Sequence, residues 1–234
     1  MKQAQRHLIA LAALAAGLFS GGNAFAVTNG DFTVSLAGWD AVGDASVQSS
    51  VALLTSAYDA GDDASGNFNF SGNPAVDTQV DGLETLAGLN ANALGNAWDG
   101  SLIKQTFTVN AGDTLSFQWN FLSNEVGAEF SQPDFAFVVI NGALTQLGGV
   151  AQATLSPGLN GFAAQTGWNT FSQTFANADT VTLALGVVDV NDTVTTSALM
   201  VDQVTLSAVP EPGALMLLGA GMVFSGWSQR RRRG

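Results

Sequence analysis

The feature that most constrains the fold of this chain is a set of short segments in which apolar and polar residues alternate with period two. Runs such as "DTLSFQWNFLS" (113–123) and "TVTLALGVVDV" (180–190) are rich in Val, Thr, Phe and Leu, as half-buried strands are. Asn141-Gly142, between "FVVI" and "ALTQLG", predicts a two-residue type I′ hairpin. The best helix candidate is "TLAGLNANALGNAW" (85–98), whose glycines disfavour a long helix. We therefore predict an all-β fold, an antiparallel β-sandwich of the jelly-roll type.

Residues 1–26 have the form of a secretory signal peptide. A basic start precedes an apolar stretch, and the small residues Ala24 and Ala26 are spaced as in an A-x-A cleavage site. We expect signal peptidase to cleave after Ala26, which leaves an ectodomain of residues 27–208.

This ectodomain is strongly acidic. Lys104 is the only strong base between Val27 and Val209, because the other six Lys and Arg residues lie nearer the two termini. The same stretch holds eighteen of the nineteen Asp and Glu residues, a net charge of about −17. Such a surface repels phosphate backbones, so nucleic acid is excluded as a partner, whereas solubility and divalent cations are favoured.

The ectodomain also lacks the side chains of several common active sites. The chain has no cysteine, and its single histidine, His7, lies in the signal peptide. A Ser-His-Asp triad, a Cys-His nucleophile and a His or Cys zinc site are therefore excluded. A pair of carboxylates can catalyse glycoside hydrolysis without histidine or cysteine. A glycan-active hydrolase that uses Glu84, Glu125 or Glu129 is thus the alternative to a non-enzymatic binding protein.

Acidic and aromatic residues suggest two kinds of binding site. The stretch "SAYDAGDDASGNFNFSGNPAVDTQVDG" (56–82) predicts a long loop, either a calcium loop or a solvated acidic loop. Trp119 has the alternation of a core residue, whereas Trp98, in the loop-like "GNAWDG", is expected to be exposed and is the candidate for stacking on a ligand. The aromatic residues considered for sugar stacking are Trp39, Trp98, Trp119, Trp168 and Tyr58.

Two segments resemble the first and last strands of carbohydrate-binding jelly rolls. "NGDFTVSLAGW" (29–39) has their Asn-Gly-x-Phe opening and later Gly-Trp, and "SALMVDQVTL" (197–206) has an aspartate before an alternating run. The resemblance implies that the two strands pair and that a structural Ca²⁺ lies near them, with Asp31 and Asp202 as ligands.

Two more carboxylates precede the last strand in "VVDVNDT", at Asp189 and Asp192. They are further calcium candidates, and the alternative is that they form a hairpin tip.

The C-terminal segment, residues 209–234, has three parts in a fixed order. Pro210, Glu211 and Pro212 come first; an uncharged apolar stretch at about 213–228 follows; and Arg230, Arg231, Arg232 and Arg233 come almost last. The prolines favour an extended segment. The apolar stretch predicts a short transmembrane helix in the inner membrane, whose C-terminus the arginines hold on the cytoplasmic side.

This order resembles the PEP-CTERM protein-sorting signal of exported proteins in Gram-negative bacteria that make extracellular polysaccharide. The resemblance implies exosortase as the processing partner, with an ordinary single-pass anchor as the alternative. We expect a non-enzymatic protein of the cell envelope or extracellular matrix, linked to exopolysaccharide or biofilm and able to bind glycan.

Overall fold

The computed structural model describes residues 27–58, 63, 66–78, 82–125, 133–191 and 193–208. Two antiparallel sheets contain the strands of these residues, which confirms the sandwich predicted from alternation. The strands are β1 (Asp40–Val42), β2 (Asp44–Gln48), β3 (Val51–Thr55), β4 (Val76–Asp77), β5 (Ala97–Val109), β6 (Thr114–Ser123), β7 (Phe135–Ile140), β8 (Ala143–Gly149), β9 (Ala164–Gln165), β10 (Asn169–Thr174), β11 (Asp179–Val190) and β12 (Ser197–Ser207).

The chain passes back and forth between the two sheets. Sheet A has the order β1-β5-β11-β7-β8, with β4 also paired to β5. Sheet B has the order β10-β6-β12-β3-β2, with β9 also paired to β6. The chain crosses from β5 in sheet A to β6 in sheet B, and again from β10 to β11 and from β11 to β12. Such crossovers are typical of double-sheet jelly rolls.

The main core lies between the sheets. Alternate residues of the long strands point inward, including Phe117, Phe121, Ile103, Leu185 and Leu199. Trp119 belongs to the same cluster, as its alternation predicts. Burial of these side chains is the main favourable contribution to folding in an ectodomain that has no disulfide.

The outer faces of the two sheets are covered differently. On sheet A, Leu102, Phe137 and Ala184 pack against the helix α1 (Leu83–Ala87) and the loop after it. On sheet B, Phe68 and Phe162 cover the part of the face around Leu53 and Leu122, and their ring centroids lie 4.6 Å apart. The rest of the outer face of sheet B has no such cover among the described residues.

The hairpin prediction at Asn141-Gly142 is confirmed. Ile140 pairs with Ala143, and both central residues have positive φ, 49° and 78°, as a type I′ turn requires. The helix prediction at 85–98 is correct only near its start: α1 ends at Ala87, because Gly88 adopts the left-handed conformation with φ 80°.

The N-terminal segment differs from the opening strand that its sequence resembles. Residues 29–39 form a series of turns, with positive φ at Asn29, Phe32 and Ser35. Its link to β12 is one backbone hydrogen bond of 2.8 Å, from Val204 N–H to the Gly30 carbonyl. The Asn29 side chain donates to the carbonyl oxygens of three later residues of the segment, Val34, Ser35 and Ala37. These local hydrogen bonds compete with strand pairing.

Candidate functional site

Nine polar residues form a regular array on the uncovered part of sheet B. Three come from each of the neighbouring strands β10, β6 and β12, and the strand register aligns them in rows. The rows are Thr170-Gln118-Asp202, Ser172-Ser116-Thr205 and Thr174-Thr114-Ser207. We call these nine residues the polar grid. All nine are exposed or half-buried, so hydroxyl, amide and carboxylate groups line one open face of the sheet.

Strand alternation places the polar grid outside. Phe117, Trp119 and Val201 point into the inter-sheet core, so their neighbours Gln118 and Asp202 point away from it. Phe171 stacks on Phe117, with ring centroids 4.9 Å apart. Thr170 and Ser172, on either side of Phe171, therefore face outward as well.

A bulge in β12 adds a second amide to the grid. The pairing of β12 with β6 shifts register between Asp202 and Thr205, and Gln203 has φ 53°. The Gln118 side-chain amide donates to Oε1 of Gln203 at 3.1 Å. Bulges re-aim side chains in this way, and here the bulge brings an exposed Gln203 onto the same face as Gln118.

An exposed tryptophan stands beside the grid. Trp168 is 43% exposed and lies two residues before Thr170, at the start of the strand that forms one side of the grid. A half-exposed indole next to hydroxyl and amide groups combines an apolar stacking surface with hydrogen-bonding groups.

Trp98, the aromatic residue selected from sequence, lies on the other sheet. It is 56% exposed and belongs to β5 rather than to a loop. Asp99 pairs with Asp189, and Ala97 pairs with Val190, so Trp98 is the extra residue of a bulge. Tyr58 is also exposed, whereas Trp39 and Trp119 are buried. The ligand role of Trp98 stays a prediction.

Several buried carboxylates hold loops in place. Asp44 accepts hydrogen bonds from the backbone N–H groups of Phe70 and Ser71 and from the Thr55 hydroxyl. Glu84 accepts the N–H groups of Asn92 and Leu94 at 2.6 and 2.7 Å. These carboxylates satisfy backbone donors that would otherwise be buried without an acceptor.

Other carboxylates lie near the end of β11 or just after β6, and all of them except the half-buried Asp77 are buried. Asp77, Asp99 and Asp189 are aligned on the adjacent strands β4, β5 and β11. Asp134 accepts the Val190 N–H at 2.9 Å, and Glu125 is buried just after β6. Within the ranges that the structure describes, no group of three or more Asp, Glu, His or Cys residues is arranged to hold a metal ion.

Two of the calcium candidates, Asp189 and Asp202, lie at different places in the sandwich. Asp189 lies near the end of β11, whereas Asp202 is five residues along β12 from Ser197, roughly 16 Å at ~3.3 Å per residue. Asp31 is exposed and accepts hydrogen bonds from the backbone N–H and hydroxyl of Thr33. Asp192 lies outside the described residues. Calcium binding at any of these residues stays a prediction.

Several other sequence predictions also lie outside the described residues. They are the signal peptide (1–26) with Ala24 and Ala26, Glu129, the segment 209–234 with Pro210, Glu211 and Pro212, the apolar stretch at about 213–228, and Arg230 to Arg233. A membrane-spanning helix is not found in the part of the chain that the structure does describe.

The described residues define a two-sheet antiparallel β-sandwich protein with an open polar face. At its C-terminus, residues 208–233 match the PEP-CTERM protein-sorting motif. The motif indicates an exported, exosortase-targeted protein whose C-terminal sorting signal passes the membrane.

Two other comparisons complete the findings. No curated protein matches the chain. One solved structure that matches is described as "CBM4 structure and function"; it shares 15% sequence identity, covers 77% of this chain and 98% of its own, and has a TM-score of 0.34. We draw no functional argument from a structural similarity that weak.

Sequence reasoning did not identify the polar grid, although a signal was present. "TFSQTF" (170–175) and "TLSFQWNF" (114–121) alternate apolar residues with Ser, Thr and Gln. We used the apolar half of the pattern to predict strands. The polar half marks the open face, but only the strand register shows that three such strands lie side by side.

Proposed function

We propose that this protein is a non-enzymatic component of the cell envelope or extracellular matrix of a Gram-negative bacterium, delivered through exosortase processing, and that its sandwich binds polysaccharide on the polar grid. The sorting motif at residues 208–233 supports export and processing. The polar grid is the single observation that supports polysaccharide binding.

The chemistry of the grid suits a sugar polymer. Its rows present hydroxyl and amide groups, which both donate and accept hydrogen bonds as sugar hydroxyls do. An open sheet face gives a long polymer room to extend. Trp168 beside the grid provides an apolar surface for a pyranose ring.

Two of the three glutamates considered for hydrolysis, Glu84 and Glu125, favour this proposal over an enzyme. Glu84 accepts two backbone N–H groups and holds residues 92–94, so its carboxylate serves the fold. Glu125 is buried after β6, whereas a general acid or base must reach the glycosidic oxygen or the attacking water.

Affinity electrophoresis of the mature protein through gels that contain a panel of polysaccharides tests the proposal. We expect retardation by at least one polymer, and Trp168→Ala should weaken the binding about fivefold or more because it removes a stacking surface. Trp98→Ala is the matched control, since it removes from sheet A an indole that is 56% exposed, against 43% for Trp168. Migration unaffected by every polymer would contradict polysaccharide binding, and weakening by Trp98→Ala alone would move the site away from the grid.

A further inference from the structure

We propose that the polysaccharide bound by the polar grid carries free amino groups, and that Asp202 binds them. This inference rests on the proposed function and names the class of its ligand. It follows from the single charge on the grid and from the distribution of charge over the whole ectodomain.

Asp202 is the only ionisable residue of the grid. It lies in the row Thr170-Gln118-Asp202 and is half-buried. Its Oδ1 accepts the backbone N–H of Gln203 at 2.7 Å, which fixes the carboxylate at the bulge. An ammonium group that reaches Asp202 therefore meets a positioned acceptor next to Gln118, its cross-strand partner, and Gln203, and charge-assisted hydrogen bonds of this kind are stronger than neutral ones.

Among the residues that the structure describes, no Lys or Arg lies on the face of sheet B that carries the grid. Lys104, the only strong base between Val27 and Val209, lies on β5 of sheet A and donates to the Leu86 carbonyl oxygen at 3.3 Å. A polymer that carries carboxylate, sulfate or phosphate groups has no Lys or Arg partner on the grid. It would also be repelled by the net charge of about −17.

We expect an uncharged polymer to bind the grid more weakly than one with amino groups. Covering Asp202 with uncharged sugar removes water from a carboxylate and returns hydrogen bonds from hydroxyl groups but no opposite charge. An amino group replaces that water with an opposite charge. The surrounding acidic surface then attracts the rest of a cationic chain, to a degree that falls with added salt.

Two oligosaccharides that share one backbone can measure how much the amino group contributes to binding. Chitosan oligosaccharides and their fully N-acetylated forms differ only in whether the amine is free. We expect the mature protein to bind the free-amine form at least tenfold more tightly at low salt, and added salt should reduce the difference. The test is isothermal titration calorimetry at pH 5.5, where chitosan amines are charged.

Two isosteric variants test which carboxylate binds the amino group. Asp202→Asn and Asp40→Asn change the net charge equally, but Asp40 is exposed on β1 of sheet A. We expect Asp202→Asn to weaken free-amine binding about fivefold and Asp40→Asn to change it less than twofold. Binding of the acetylated form should be the same in both variants.

The outcomes separate this inference from the proposed function. Equal affinity for both forms, or tighter binding of an anionic polymer such as alginate, would overturn the inference and leave polysaccharide binding intact. Equal effects of the two variants would overturn the role of Asp202. A protein that binds no polysaccharide at all contradicts the proposed function itself.

Discussion

Individual carboxylates in this ectodomain take different roles according to burial. Asp44 is fully buried and bonds two backbone N–H groups and one hydroxyl, whereas Asp40, four residues earlier, is exposed on β1. The sequence shows only that both are acidic. It could not show which of them bind backbone donors, because those donors lie far along the chain.

Replacing Asp44 tests this residue-scale account. Asp44→Ala leaves the N–H groups of Phe70 and Ser71 without their acceptor, so we expect a loss of about 2–4 kcal/mol in the free energy of unfolding. Urea denaturation followed by fluorescence measures it. Asp40→Ala, the control, should stay within about 0.5 kcal/mol of the wild type, and an equally small effect for Asp44→Ala would be inconsistent with its role in holding the loop.

Strands could be predicted from the sequence better than the segments between them. Alternation located β5, β6, β7, β10, β11 and β12, because a strand that buries one face must place apolar residues at every second position. The segment 29–39 could not be predicted in this way. Its conformation depends on three hydrogen bonds from one side chain, that of Asn29. The polar grid depends on register between distant strands, which local pattern does not encode.

The hairpin between β7 and β8 gives a test at the scale of one element. Gly142 has φ 78°, where a β-branched residue is strained and asparagine is tolerated. Both substitutions add a Cβ that would lie 3.2 Å from the Gly88 carbonyl oxygen, so we expect Gly142→Val to lower the free energy of unfolding by about 1 kcal/mol more than Gly142→Asn does. Thermal denaturation of both variants measures the difference. Equal stability of the two would contradict the type I′ turn.

At the scale of the whole molecule, the outer faces of the two sheets and the net charge determine which surface is open and which polymers it repels. On sheet A, α1 and its loop cover the part of the face around Leu102 and Phe137, whereas on sheet B the polar grid is open. A single base among eighteen acids keeps the ectodomain soluble and restricts which polymers can approach it. Because the chain has no cysteine, the exported protein must rely on its core rather than on disulfides.

We propose that residues 209–234 are a sorting signal and that the acidic sandwich is the part of the protein that this signal delivers. The most direct test is the intact mass of the mature protein from a polysaccharide-producing Gram-negative host, with and without exosortase. The account predicts loss of the segment after the Pro210-Glu211-Pro212 motif only when exosortase is present, and no loss when those three residues are replaced by alanine. A chain that keeps Arg230 to Arg233 in both hosts, or a triple-alanine variant trimmed like the wild type, would contradict it.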